Sequence, residues 1–148
     1  MIKTKRWDDR RAKSDGFRLL ICRYRPRALP KSEETWDLWW SQLGPSKELH
    51  AAFYGKHGQT PITWEEYRQR YLDEMKVAEQ QESIVILAEK VAAGNTITLL
   101  CSSACTDATH CHRTLLKELI EQEANRLRLG ADSPEAASDA SVTDASQT

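Results

Sequence analysis

No stretch of this chain approaches the roughly 18 consecutive apolar residues that a membrane-spanning helix needs. Its charged opening, Met1-Ile2-Lys3-Thr4-Lys5-Arg6, leads into no apolar segment of the kind that heads a secreted chain. Both absences point to a cytoplasmic protein with no membrane partner. The dense cysteine spacing of a secreted disulfide scaffold is missing too. Four cysteines, Cys22, Cys101, Cys105 and Cys111, are spread over 148 residues, and reduced thiols are expected. The close cysteine pairs of zinc knuckles and ribbons do not occur, so spacing gives no reason to expect a metal. Nor do Cys101, Cys105 and Cys111 have the arginine six positions on that a cysteine phosphatase needs; Asp107, Cys111 and Lys117 stand there instead. No internal repeat is visible, which excludes a solenoid.

What is present suits one small core. The chain is 40% hydrophobic with five tryptophans, enough apolar material for a single domain. Residues 1 to 130 form that domain, and residues 131 to 148 read as a disordered, acidic, Ala/Ser-rich tail with too little apolar surface to offset the entropy of ordering. The net charge of -1 is unevenly spread. Residues 1 to 31 carry eleven Lys/Arg against three Asp, whereas the chain after Gly130 carries four acids and no base. Most of the basic side chains from Lys3 to Lys13 read as solvated, as charge runs near a terminus usually are.

Phe17 to Cys22 and Thr96 to Cys101 are short, nearly continuous apolar runs that predict strands buried on both faces, with Ile2 to Trp7 a weaker third. Trp36, Trp39, Trp40 and Leu43 recur at helical spacing and predict a helix stopped by Gly44-Pro45. Leu49, Ala52 and Phe53 predict a second helix, ended by Gly55. Thr63 with Glu66 forms a capping box ahead of Trp64, Tyr67, Tyr71 and Met75, predicting a third. Further helices are expected over Ser83 to Ala93 and from about Cys111 to Leu129. The order of elements predicts an α/β domain: a small, mostly parallel sheet flanked by helices in three layers. The aromatic positions read as core rather than as a base-stacking surface, and His50 and His57 read as solvent-facing.

In open parallel sheets ligands bind beyond the carboxyl ends of the strands, and those ends are Cys22-Arg23 and Cys101-Ser102 here. After the first, Pro26 keeps Arg25 extended, so Arg23, Arg25 and Arg27 project where planar guanidinium groups suit phosphate or carboxylate; the competing reading makes them ion-pair partners. After the second, a polar loop containing Ser102, Ser103 and Cys105 runs into Cys111-His112-Arg113 at the start of the last helix. A helix N-terminus binds anions and lowers the pKa of a nearby thiol, which is expected for Cys111 beside Arg113.

At these segments the chain resembles the bacterial family called domain of unknown function 488. The matching pieces are Ser14 to Leu20, Arg23 with Pro26-Arg27, Trp36, Gly44-Pro45-Ser46 with Glu48-Leu49, Phe53-Tyr54-Gly55, Tyr67 with Tyr71-Leu72, and Leu99-Leu100-Cys101 leading to Cys111-His112-Arg113. The resemblance covers nearly all of residues 1 to 125. It departs at Cys22, where several relatives carry an acid, at Ala28, where they carry glycine, and at Ser102-Ser103, where many carry an acid. The resemblance implies the fold and the position of the site and names no activity.

The leading expectation is a site for a small phosphate-bearing or nucleotide-like anion built from Arg23, Arg25, Arg27, Ser102, Ser103 and Arg113. Were it an enzyme, Cys101 or Cys111 would be the nucleophile and His112 the acid or base. The alternative is a thiol-based redox or metal-sensing module without catalysis. Nucleic-acid binding through the basic N-terminal third has no recognisable motif behind it. The residues name no cofactor and no oligomeric state.

Overall fold

A computed structural model describes residues 1–131. Four strands, β1 (Ile2–Arg6), β2 (Phe17–Leu20), β3 (Leu38–Trp39) and β4 (Ile97–Cys101), form one sheet in the order β1-β4-β2-β3. Every pairing is parallel. The helices are α1 (Lys47–Tyr54), α2 (Trp64–Glu74), α3 (Ala78–Ala92) and α4 (His112–Ala131). The fold is thus the α/β domain expected, with every strand and helix the sequence announced save one. Among the described residues no helix is long and apolar enough to cross a membrane. The tail expected beyond Gly130 falls outside the described residues from position 132 on; Ala131 itself ends α4.

Strand β4 lies between β1 and β2 and is buried at all five positions, which is why its sequence runs apolar without alternating. On one face Leu19, Ile21, Ile97 and Leu99 meet the apolar sides of all four helices, through Leu49, Tyr71, Leu87 and Leu116 among others. On the other face Leu20 and Leu100 pack against Trp36, Trp7 and Leu29. The three layers are therefore helices, sheet, and a cover of loops and short 3-10 turns.

The helix expected over Trp36 to Leu43 does not form. Asp37 N–H donates to Arg18 O at 2.8 Å and Trp40 N–H donates to Leu20 O at 3.0 Å, so the segment spends its backbone groups on β2 and becomes β3, followed by a 3-10 turn at Ser41–Leu43. Trp36 is buried in the second-face cluster, but Leu38 and Trp39 are exposed. The helical spacing of the aromatics was a coincidence of a short extended segment.

The basic N-terminal third is not merely solvated either. Asp15 is wholly buried, and Lys3, Lys5 and Arg18 converge on it, with Nζ or Nη1 at 3.1, 2.8 and 2.6 Å. Arg18 is itself fully buried and donates further to the carbonyls of Thr35 and Asp9. Arg11 reaches Asp37 at 3.0 Å. These pairs tie β1 and the turn before β2 onto the second face.

The termini of the helices place the site. Ser46 caps α1 by accepting from Leu49 N–H, and the Glu74 carboxylate at the end of α2 accepts from both the Ser46 backbone and its hydroxyl. Gly55, in the left-handed region, ends α1 as expected. Gly44 lies so close to the strand end that an added Cβ would stand 2.5 Å from Arg23 N.

Candidate functional site

The carboxyl ends of β2 and β4 open into a cleft of about 570 Å³. Two segments far apart in sequence build it, as the parallel topology requires: Cys22 to Arg27 after β2, and Cys101 to Cys105 with His110 to His112 after β4. A third wall comes from the end of α1 and the turn after it, through His50, Phe53, Tyr54 and Lys56. Arg23, Arg25 and Arg27 all line the cleft, as do Ser102 and Ser103.

These residues are not equivalent. Arg23 donates its Nε to Pro45 O at 2.7 Å, and its terminal nitrogens have no partner among the described residues. Arg25 pairs with Glu34 at 2.9 Å and lies 5.6 Å from the Trp36 ring centroid, so it takes the ion-pair role. Arg27 is exposed, with no ion pair among the described residues. The Ser102 hydroxyl accepts from Ala104 N–H and serves its own turn, while Ser103 O accepts from Arg6. Arg113 does not reach the cleft wall. It is 7% exposed, and its Nε is buried without a hydrogen-bond partner.

His50 was read as facing solvent, and the fold corrects that reading. It is half-buried between Tyr24 and Tyr54, with ring centroids at 5.0 and 4.7 Å, and burial pushes its pKa down. His57 is exposed as expected. Lys56, whose Nζ lies 5.5 Å from the Tyr24 ring centroid, is a cation of the cleft that the sequence reading passed over. The available signal was the spacing of His50 and Tyr54, one turn apart on a helix that ends at Gly55.

The floor of the cleft is a cluster of thiols. The sulfurs of Cys101, Cys105 and Cys111 lie within 4.8 Å of one another, and Cys111 Sγ is 3.3 Å from Cys101 Sγ. All four cysteines are free. His112 stands beside the cluster, its Nδ1 3.9 Å from Cys101 Sγ and 4.0 Å from Cys111 Sγ. Its Nε2 is 2.9 Å from Ile21 O, and since a carbonyl only accepts, Nε2 carries the hydrogen. Burial pulls the His112 pKa down to about 4, keeping the ring neutral with its Nδ1 lone pair toward the sulfurs.

The thiol expected to be acidified was Cys111, and the structure reverses this. Hydrogen bonding to Cys101 and Cys105, together with burial, pushes Cys111 up. Cys105, half-buried in the loop, is the one held well below the ordinary thiol range, by hydrogen bonds from Cys101 and Cys111 and by the charge of Arg113. The helix N-terminus is present as foreseen, but sulfur neighbours outweigh it.

Residues 2–124 match the family model described as the active DUF488-N3 subclade. The uncharacterized protein YeaO of Escherichia coli (strain K12) is 33% identical over 110 residues, which are 74% of this chain and 89% of the relative. No solved structure matches. The chain belongs to the domain of unknown function 488 family.

Proposed function

We propose that this member of the domain of unknown function 488 family binds a small anionic molecule with a planar ring, as a nucleotide has, at the carboxyl end of its sheet. The charge of the wall carries the reading: Arg23, Arg27 and Lys56 line the cleft beside the Glu34-paired Arg25, and among the described residues no aspartate or glutamate lines it. Cations gathered in a concave, partly apolar space focus their field on whatever enters it. Arg23 is already anchored through Nε, so its terminal donors lose little freedom when they take a phosphate or carboxylate. The buried, unpartnered Nδ1 of His50 adds a second polar group to the same wall. Tyr24 and Tyr54, both about half exposed, supply ring faces beside the cations.

Four free thiols suit a reducing, cytoplasmic setting. Calorimetric titration of the reduced, metal-free protein with inorganic phosphate, AMP and adenosine tests the reading. AMP should bind more tightly than either fragment, and Arg23→Gln should weaken it roughly 10- to 100-fold, the loss of one charge-assisted contact. Absence of binding by both anions, or an unchanged affinity in Arg23→Gln, refutes the proposal.

A further inference from the structure

Thiolates and imidazoles hold zinc as a tetrahedron, with metal–sulfur bonds of about 2.3 Å and metal–nitrogen bonds of about 2.0 Å. Those lengths require edges of about 3.8 Å between sulfurs and about 3.6 Å between sulfur and nitrogen. The floor of the cleft comes close to such a figure. Cys101 and Cys111 are separated by 3.3 Å, all three sulfurs lie within 4.8 Å of one another, and the Nδ1 atom of His112 stands 3.9 and 4.0 Å from two of them. We propose that Cys101, Cys105, Cys111 and Nδ1 of His112 form a closed four-ligand site for zinc or a similarly thiophilic divalent ion. The proposal goes beyond anion binding and needs none of the cleft arginines.

Two further observations point the same way. A metal-bound imidazole nearly always donates its other ring N–H to a carbonyl or carboxylate, which fixes its tautomer. His112 does this with Ile21 O, leaving the Nδ1 lone pair aimed at the sulfurs. The second is Arg113. A guanidinium 7% exposed, with its Nε unpartnered and the Asp9 carboxylate near but not in ion-pair contact, is costly to bury without a closer compensating charge. Three thiolates around a divalent ion carry one net negative charge, and the buried guanidinium of Arg113, next in the chain to the ligands Cys111 and His112, supplies its counterpart.

The ligands come from elements of unequal rigidity. Cys101 closes β4, Cys111 and His112 open α4, and Cys105 sits in the loop between. Binding would expel the remaining thiol protons to solvent and clamp that loop onto the two rigid ends. With four protein ligands there is no open position, so the ion would staple the floor, and Cys101, Cys111 and His112 would be ligands rather than nucleophile and base.

The test uses the reduced full-length chain with Co²⁺ and Zn²⁺ alone. One Co²⁺ per chain should bind, with thiolate charge-transfer absorption and the visible bands of a tetrahedral site, and Zn²⁺ should displace it. Cys105→Ser should weaken Co²⁺ binding by more than about 100-fold, since even outer-shell changes cost about 10- to 100-fold. Cys22→Ser should bind as the wild type does. A wild-type measurement guards against a collapsed variant: Zn²⁺ should shield Cys105 from iodoacetamide. Lack of a charge-transfer band, unaltered Cys105 alkylation with Zn²⁺, or equal Co²⁺ affinity in Cys105→Ser overturns the proposal. The anion titration, run on metal-free protein, stands or fails separately.

Discussion

Arg18 Nη1 lies 2.6 Å from Asp15 Oδ2, with neither side chain exposed to solvent. A pair so placed contributes little net stability over an apolar pair of the same shape, but removing one partner leaves a buried charge. Asp15→Asn should therefore destabilise the domain by roughly 3 to 5 kcal/mol in urea titrations. Combining Arg18→Met with Asp15→Asn should recover part of that loss. Additive losses in the double variant would show that the two residues do not act as a pair.

The same carboxylate should make the fold sensitive to acid. Burial works against the Asp15 charge, but hydrogen bonds from Lys5, the Ala12 backbone, Lys3 and Arg18 outweigh it and hold the pKa far below the ordinary value. A depressed folded-state pKa gives stability that is present above the unfolded value of about 3.9 and lost as pH falls below it. The urea midpoint should drop steeply between about pH 4 and pH 2, and more shallowly in Asp15→Asn. Parallel profiles would assign the acid sensitivity to other groups.

Trp36 and Trp39 should part company on truncation. Trp36 packs against Trp7 edge-on at 6.3 Å in the second-face cluster, so Trp36→Ala should cost roughly 3 to 5 kcal/mol. Trp39 is exposed, and its indole donates to Cys22 O at 2.7 Å; its removal should cost no more than about 1.5 kcal/mol, the worth of one hydrogen bond. Equal losses would mean that the exposed ring packs elsewhere in solution.

That contrast also shows where the sequence was and was not legible. The apolar runs of β2 and β4, the Thr63 cap of α2 and the Gly55 stop of α1 are local signals, and they survive folding. The segment from Trp36 to Leu43 carried a helical spacing that lost to the free edge of β2, a partner no local pattern reveals. The site divides in the same way. Its two strand-end segments were readable from topology, whereas Lys56 and His50 arrive by the packing of α1, and the pairing of Arg25 with Glu34 depends on a loop path. Cysteine spacing concealed the thiol cluster because its members sit on a strand end, a loop and a helix start.

Glu34→Gln should strengthen anion binding. Its carboxylate is 2.9 Å from Arg25 Nε, and removing it leaves a cleft arginine without its counter-charge. The pair is partly exposed, so stability should change by less than about 1 kcal/mol. Weaker AMP binding in this variant would indicate that Glu34 orients Arg25 rather than competing with the ligand.

Gly44→Ala should affect stability and binding together. A Cβ there would meet Arg23 N at 2.5 Å and Cys22 C at 2.9 Å, both backbone atoms without room to yield. The cost should be roughly 1 to 3 kcal/mol, as for other overpacked positions, and displacement of Arg23 should reduce phosphate affinity. Retention of both properties would show that the strand end is more pliable than its packing implies.

Both margins of the sheet discourage the addition of another chain. Strand β3 is only two residues long, too brief to template a ladder, and β1 carries Lys3, Lys5 and Arg6 among its five positions. Short edges and edge lysines are the devices by which sheets avoid growing from one molecule into the next. The lysines that neutralise Asp15 inside the domain thus also tax any strand that would pair alongside β1, since docking there would have to bury or displace them. One pair of side chains thus neutralises a buried carboxylate on the inside and charges an open strand edge on the outside.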